Sequence, residues 1–178
     1  MKQVYLAPPI SRKDLRAAAY QIRKAIGLEN QLYFPIVEFM ELIMPDLVPG
    51  FEYTVLSANE MGVKHGETFP DSKRIVLRED VYYGVIAGKG RDRLTVGHEI
   101  KHCLFDDSEV VKLYRIDPDM KIKPYIDPEW QATAFSGELL MPYHLINGMS
   151  VESIIRECGV TEDAVITQLK ANKWREKM

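Results

Sequence analysis

The sequence has no apolar run approaching the ~18 residues needed to cross a bilayer. This argues against a membrane-spanning protein. It has little cysteine: Cys103 and Cys158 cannot build a disulfide framework, and they read as buried small hydrophobes. The start, Met1-Lys2-Gln3-Val4-Tyr5, lacks the apolar stretch of a signal peptide, so the expected compartment is the cytoplasm. No charge of one sign dominates. Lys and Arg number 23 against 26 Asp and Glu, a net charge of −3, which leaves no global positive field for nucleic acid or an anionic membrane. Internal repeats and low-complexity tracts are also missing. What remains is an ordinary soluble composition, 46% apolar and 28% charged, over 178 residues, enough for a single domain spanning 1–178.

The pattern along the chain alternates helix and strand signals. Residues 11–27 read as an amphipathic helix capped by Ser11 with Asp14, its apolar face carried by Leu15, Ala18, Ala19, Ile22 and Ile26 and its end set by Gly27. Pro35 opens a short apolar helix from Ile36 to Met44, ended by Pro45. Strands are expected at Phe51–Leu56, Lys73–Arg78 and Val110–Arg115. Helices are expected at Val81–Ala87, Arg91–Phe105, Pro128–Met141, Val151–Cys158 and Glu162–Ala171. This order predicts an α+β fold with its strands grouped beside the Arg91–Phe105 helix.

That helix carries His98-Glu99-Ile100-Lys101-His102. Two histidines four apart share one helical face, one turn apart, and both can reach one ion at about 2.0–2.1 Å. Glu99 falls on the flank of the pair, placed to take a proton from water activated by a metal. Val96, Ile100, Cys103 and Leu104 cluster on the opposite, core-facing side, and Lys101 lies at the edge, where its amine is expected to snorkel to solvent. H-E-x-x-H arises by chance in roughly one chain in a few hundred of this length, so the motif alone leaves a surface or core pair of histidines open.

A catalytic zinc needs a third protein ligand. Glu129, Gln131, Glu138, Asp127, His144 and His65 are the candidates. In the Pro128–Met141 helix, Ala132, Phe135, Ser136, Leu139 and Leu140 form an apolar stripe that includes Glu129, while Gln131 and Glu138 fall opposite. A carboxylate on a buried stripe is costly unless it is paired or ligates a metal, although a helix N-terminal Glu also simply favours the dipole. His144 and Tyr143 are candidates for contact with a reacting oxyanion.

Two segments then resemble the signatures of one family. Residues 93–104, RLTVGHEIKHCL, resemble the "FTLAHELGHCLL" segment of ImmA/IrrE-type metallopeptidases. Residues 127–142, DPEWQATAFSGELLMP, resemble that family's "DPEWQANAFAGELLMP". The 159–165 segment resembles its closing "fGVSeeAV", so the likeness runs from about residue 10 to 172. The resemblance implies a zincin-like core with a small, mostly antiparallel sheet beside the H-E-x-x-H helix and additional N- and C-terminal helices. It implies Zn²⁺ held by His98, His102 and Glu129, with Glu99 as general base. It further implies an endopeptidase cleaving a helix-turn-helix repressor or antitoxin-type regulator of a phage or mobile element. Three residues depart from the pattern: Lys101 stands for Gly, Thr133 for Asn or Asp, and Ser136 for Ala. Lys101 is therefore a candidate for crowding the site or lining the substrate cleft, and Thr133 for weakening a hydrogen bond behind a ligand.

Two other readings compete. In one, the protein binds a repressor or antitoxin without cutting it and the metal is structural, which would call for four protein ligands. In the other, the two C-terminal helices act as a DNA-reading helix-turn-helix. Residues 149–178 carry five basic and five acidic residues, too neutral a segment for that role, so no direct nucleic-acid partner is expected. Lys170, Lys173, Arg175 and Lys177 read as a solvated end. The strand at 74–77 is a candidate for pairing with an extended substrate.

Overall fold

A computed structural model describes residues 2–173. The expectation for Arg175, Lys177 and the Lys173 side chain lies outside the described residues. The chain begins with strand β1 (Lys2–Leu6) and helix α1 (Arg12–Ala25). Ser11 and Asp14 close the expected capping box, and Gly27 adopts φ 72° just past the end. Short helices α2 (Ile36–Glu38) and α3 (Met44–Leu47) are joined by a π-turn over Phe39–Ile43. The expected stop at Pro45 is therefore passed: the wider turn precedes the proline and the chain stays helical through it.

Strand β2 (Glu52–Leu56), helix α4 (Ala58–Met61), strand β3 (Gly66–Phe69) and strand β4 (Arg74–Arg78) follow. Then come α5 (Glu79–Ile86), α6 (Gly90–Phe105), β5 (Lys112–Ile116), α7 (Pro128–Leu140), α8 (Tyr143–Ile146), α9 (Val151–Cys158) and α10 (Glu162–Lys173). The fold class is α+β, as expected.

The sheet beside α6 has the order β2-β4-β3. It is mixed rather than mostly antiparallel: β2 runs parallel to β4, Glu52 opposite Arg74, while β3 runs antiparallel to β4, Gly66 opposite Leu77. Ile75, Val76 and Leu77 make β4 a continuous buried run, as suits a central strand. A central strand has no free edge, so β4 cannot take a substrate strand; the open edge near α6 belongs to β3. A second, two-stranded antiparallel sheet pairs β1 with β5, Val4 opposite Tyr114.

Helix α7 packs against both α6 and α1. Gln131 and Glu138, expected on an outer face, are buried at 0% and 2% exposure because α7 has almost no outer face. The buried Glu138 carboxylate takes Arg12 Nε at 2.8 Å and Arg16 Nε at 2.9 Å. The α6–α7 approach is close: a Cβ added at Gly97 would meet Ser136 Oγ at 2.4 Å. Ser136 donates to the Leu94 carbonyl at 2.8 Å, tying the two helices where a plain alanine would only pack. Cys103 and Cys158 are buried and unpaired, as expected.

Candidate metal centre and active site

The Gly97–Ser136 contact sets the first turn of α7 over the histidine face of α6. There His98 Nε2 lies 3.1 Å from His102 Nε2 and 3.1 Å from Glu129 Oε2, and His102 Nε2 lies 3.5 Å from Glu129 Oε1. Among the described residues, this trio is the group whose donor atoms converge as metal ligands. Three donors about 2.0–2.1 Å from a tetrahedral ion stand roughly 3.3 Å apart, so the observed triangle fits zinc or a similar divalent cation. Two imidazoles and a carboxylate are also the donor chemistry of such sites.

Glu129 departs from expectation in one respect. It does not sit on a buried stripe; its side chain is 69% exposed. It occupies the first turn of α7, and Asp127 caps the helix by accepting from the Glu129 amide at 3.0 Å. Hydrogen bonds from His102 and His98 hold its carboxyl well below the usual carboxylate range. Burial works against the His102 imidazolium, yet its bonds to Asp106 and Glu129 raise it to about 9.

Each histidine is braced from behind. His102 Nδ1 lies 2.6 Å from Asp106 Oδ2, and His98 Nδ1 lies 3.4 Å from Thr133 Oγ1. The Thr133 contact is long, in keeping with the shorter, weaker partner that replaces Asn or Asp. Asp106 is a residue the sequence reading missed; the signal was its place one turn after His102.

Glu99 is nearly buried, between α6 and β3. Thr68 Oγ1 donates to its Oε2 at 2.6 Å, holding the carboxylate beside the histidine pair. Along the same strand, a Cβ at Gly66 would come within 2.8 Å of Glu99 Cγ, so glycine makes room for the Glu99 side chain. Neither Thr68 nor Gly66 was legible in sequence, because β3 itself carries little strand signal.

The remaining candidates sit elsewhere. Lys101 neither snorkels nor reaches the cleft: it is fully buried, with Nζ on both oxygens of Asp106 and 3.2 Å from Gln131 Oε1. His144, past the far end of α7, lies 2.7 Å from the Glu29 carbonyl oxygen through Nε2, and Arg16 stacks over the Tyr143 ring at 4.6 Å. Both are a whole helix length from Glu129. His65 lies between Arg78 and Arg91.

A family model described as the IrrE N-terminal-like domain, a peptidase family, matches residues 54–166. The chain belongs to this family. The family is one of peptidases, and the structure brings His98, His102 and Glu129 together as a group that could hold a metal ion. No curated protein matches this IrrE-like chain significantly. Solved structures resemble it, among them a Mycobacterium tuberculosis transcriptional regulator with a TM-score of 0.54 and 14% identity. That likeness, over 86% of this chain and 45% of the regulator, concerns the fold, and the chain spans less than half of the regulator's length. Among the described residues, no helix is long and apolar enough to cross a membrane.

Proposed function

We propose that the protein is a zinc-dependent endopeptidase with a zincin-like core, holding its metal through His98, His102 and Glu129 and using Glu99 as general base. The observation that carries this reading is the donor triangle with Glu99 fixed on its flank by Thr68 at 2.6 Å. A divalent cation held by His98, His102 and Glu129 would supply Lewis acidity at the attacking water and the scissile carbonyl. Glu99 takes the proton from that water as its oxygen bonds to the carbonyl carbon, then delivers it to the leaving nitrogen as the C–N bond breaks. Thr68 holds the carboxylate in place throughout. The open edge of β3 lines the cleft through Gly66, Glu67 and Thr68, so an extended substrate pairs with β3 beside the base.

The substrate class we infer is a helix-turn-helix repressor or antitoxin-type regulator. It rests on the family resemblance. Against a structural metal stands the ligand count: the cluster draws on three residues among those described, where a closed site uses four. Against DNA reading stands the placement of α9 and α10. Ile154, Val165 and Gln168 are buried against the core, and α10 is tied to α1 through Arg12–Gln168 and Arg16–Asn172.

Metal analysis together with co-expression tests the proposal. The wild-type protein should carry about one zinc per chain, and His98→Ala should lose it. A regulator encoded beside this chain should be cut by wild type and left whole by Glu99→Gln. Cleavage at the wild-type rate by Glu99→Gln would overturn the assignment.

A further inference from the structure

The three-stranded sheet has two ends, and β3 is the one beside the metal cluster. The other end strand, β2, pairs with β4 alone among the described residues. Glu52 donates its amide to the Lys73 carbonyl at 3.1 Å, toward β4. The alternate residues, Tyr53 and Val55, therefore turn their amides and carbonyls outward. An open edge of this kind is a template for a further strand.

The composition around this edge is one-sided. Residues 25–63, which contain α2, the π-turn, α3, β2 and α4, carry Glu29, Glu38, Glu41, Asp46, Glu52 and Glu60 and no Lys, Arg or His. All 23 Lys and Arg of the chain lie outside this segment. Among the described residues, none of the six acids is ion-paired. Arg74 stands opposite Glu52 in the register but turns to the Phe69 ring, 4.7 Å from its centroid. Glu41 instead takes two hydroxyls, Tyr53 Oη at 3.0 Å and Tyr82 Oη at 2.6 Å. The Tyr53 and Tyr82 rings stack at 6.3 Å, and the exposed Tyr83 packs edge-on to Tyr82 at 5.5 Å.

Charge says what covers this edge. Side chains of a strand added beside β2 alternate between the two faces of the sheet. On one face they meet Glu52. On the other they meet Tyr53 with Glu41 behind it, where a Lys or Arg stem packs on the ring and its cation reaches the carboxylate. A second copy of this chain would set acids against acids, and like charges facing each other across strands are destabilising.

We propose that β2 is a docking edge for an extended segment bearing Lys or Arg in the regulator that the protein cleaves. The identity of the partner rests on the peptidase reading: a DNA-binding regulator carries basic residues to meet phosphate. Strand β2 lies two strand spacings, about 10 Å, from β3. One folded substrate can therefore seat a basic segment on β2 while its scissile segment lies along β3. The edge adds affinity and steers encounter without touching the bond that is cut.

The test uses the full, zinc-loaded chain and two short labelled peptides, one alternating Lys and Val, the other Glu and Val. Fluorescence anisotropy at low ionic strength should show the Lys peptide binding about tenfold tighter or more, with the margin shrinking as salt is added. Asp46→Lys/Glu52→Lys, at two exposed positions, should remove most of that preference with zinc content unchanged. Val55→Pro, which deletes an outward amide and no bond to β4, should weaken the Lys peptide as well. Equal affinity for the two peptides, or a preference that survives both variants, overturns the docking edge. So does a wild-type dimer in sedimentation that Val55→Pro dissolves, because a second copy then covers β2. Cleavage of the regulator encoded beside this chain separates the two readings. The charge-reversed variant should raise KM for the folded regulator. Cleavage with the wild-type KM sinks the docking edge and leaves the peptidase standing. Binding of the Lys peptide through β2 with no regulator cut sinks the peptidase reading and leaves the edge standing.

Discussion

Lys101 and Asp106 form a buried ion pair directly behind His102, one of the three residues of the candidate metal cluster. The amine lies 2.7 Å from Oδ1 and 2.8 Å from Oδ2, Lys101 is wholly excluded from solvent, and the same Oδ2 meets His102 Nδ1 at 2.6 Å. Burial lowers the Lys101 amine from its ordinary value, and the hydrogen bond with Asp106 counters this only in part. One carboxylate thus serves an ammonium that cannot reach water and a histidine that must keep its ring angle.

Asp106→Asn should therefore have two separable effects. It leaves a buried lysine without its counter-charge, which costs about 3–5 kcal/mol. It also loosens the bracing of His102, which lowers metal affinity by about 10–100-fold. Adding Lys101→Met should recover much of the stability and none of the affinity lost through His102. Urea midpoints and titration against a metal chelator measure the two effects. A single variant as stable as wild type would show that the pair contributes nothing.

Glu99, the proposed general base, should be sensitive to its seat as well as to its identity. Glu99→Gln should lower turnover by about 10²–10⁴-fold with zinc content unchanged. Gly66→Ala leaves the carboxylate in place chemically but drives a methyl to within 2.8 Å of Glu99 Cγ. Displacement of a catalytic group by about an ångström costs on the order of 10²-fold, so this variant should lose kcat and keep its metal, with a stability loss of about 1–3 kcal/mol from the overlap. Normal turnover in Gly66→Ala would mean that Glu99 is not positioned by β3.

How much of this was legible in the sequence follows from which signals are local. His98, Glu99 and His102 are set by one helical turn, and the structure brings them together as the spacing requires. The α1 cap, the β4 core run and the starts of α7 and α9 are likewise local patterns. Glu129 was found for a reason that failed: the apolar stripe of α7 does not bury it. What put it at the site is the close α6–α7 crossing at Gly97 and Ser136, a tertiary fact. Gln131 and Glu138 were misplaced because a helix covered on two sides has no polar face to read. Asp106, Thr68 and Gly66 act across elements whose pairing no periodicity reveals, and Lys101 was misjudged because its partner lies beyond the motif.

That crossing makes its own prediction. Gly97→Ala should destabilise the protein by about 1–3 kcal/mol, since a Cβ at 97 would overlap Ser136 Oγ at 2.4 Å. Ser136→Ala removes the oxygen and its 2.8 Å bond to Leu94 O, a loss of about 1 kcal/mol alone. The pair should be less harmful than the sum by 0.5 kcal/mol or more, on the order expected for side chains in contact. Denaturant unfolding of the four proteins in the cycle measures this, and strict additivity would show that the two positions do not touch.

The two thiols give the protein a defined weakness at alkaline pH. Burial pushes Cys103 and Cys158 from 9 up to about 11 each. The sign follows from which state releases its proton first. Below about pH 9 both states keep their thiols protonated, so nothing is gained or lost. Between 9 and 11 the unfolded chain ionises while the folded chain does not, the unfolded state binds fewer protons, and stability falls as pH rises. Two pKa units correspond to an upper bound of roughly 2–3 kcal/mol per thiol at pH 11. Lysines and tyrosines titrate in the same window, so the comparison must be internal. The drop in unfolding free energy between pH 8 and pH 10.5 should be smaller in Cys103→Ala/Cys158→Ala than in wild type, even though the double variant starts less stable. Both thiols should also resist an aromatic disulfide reagent at pH 8 until the protein unfolds. Rapid labelling of the folded protein, or an equal pH dependence in the variant, would show that these cysteines are not the sealed groups their burial makes them.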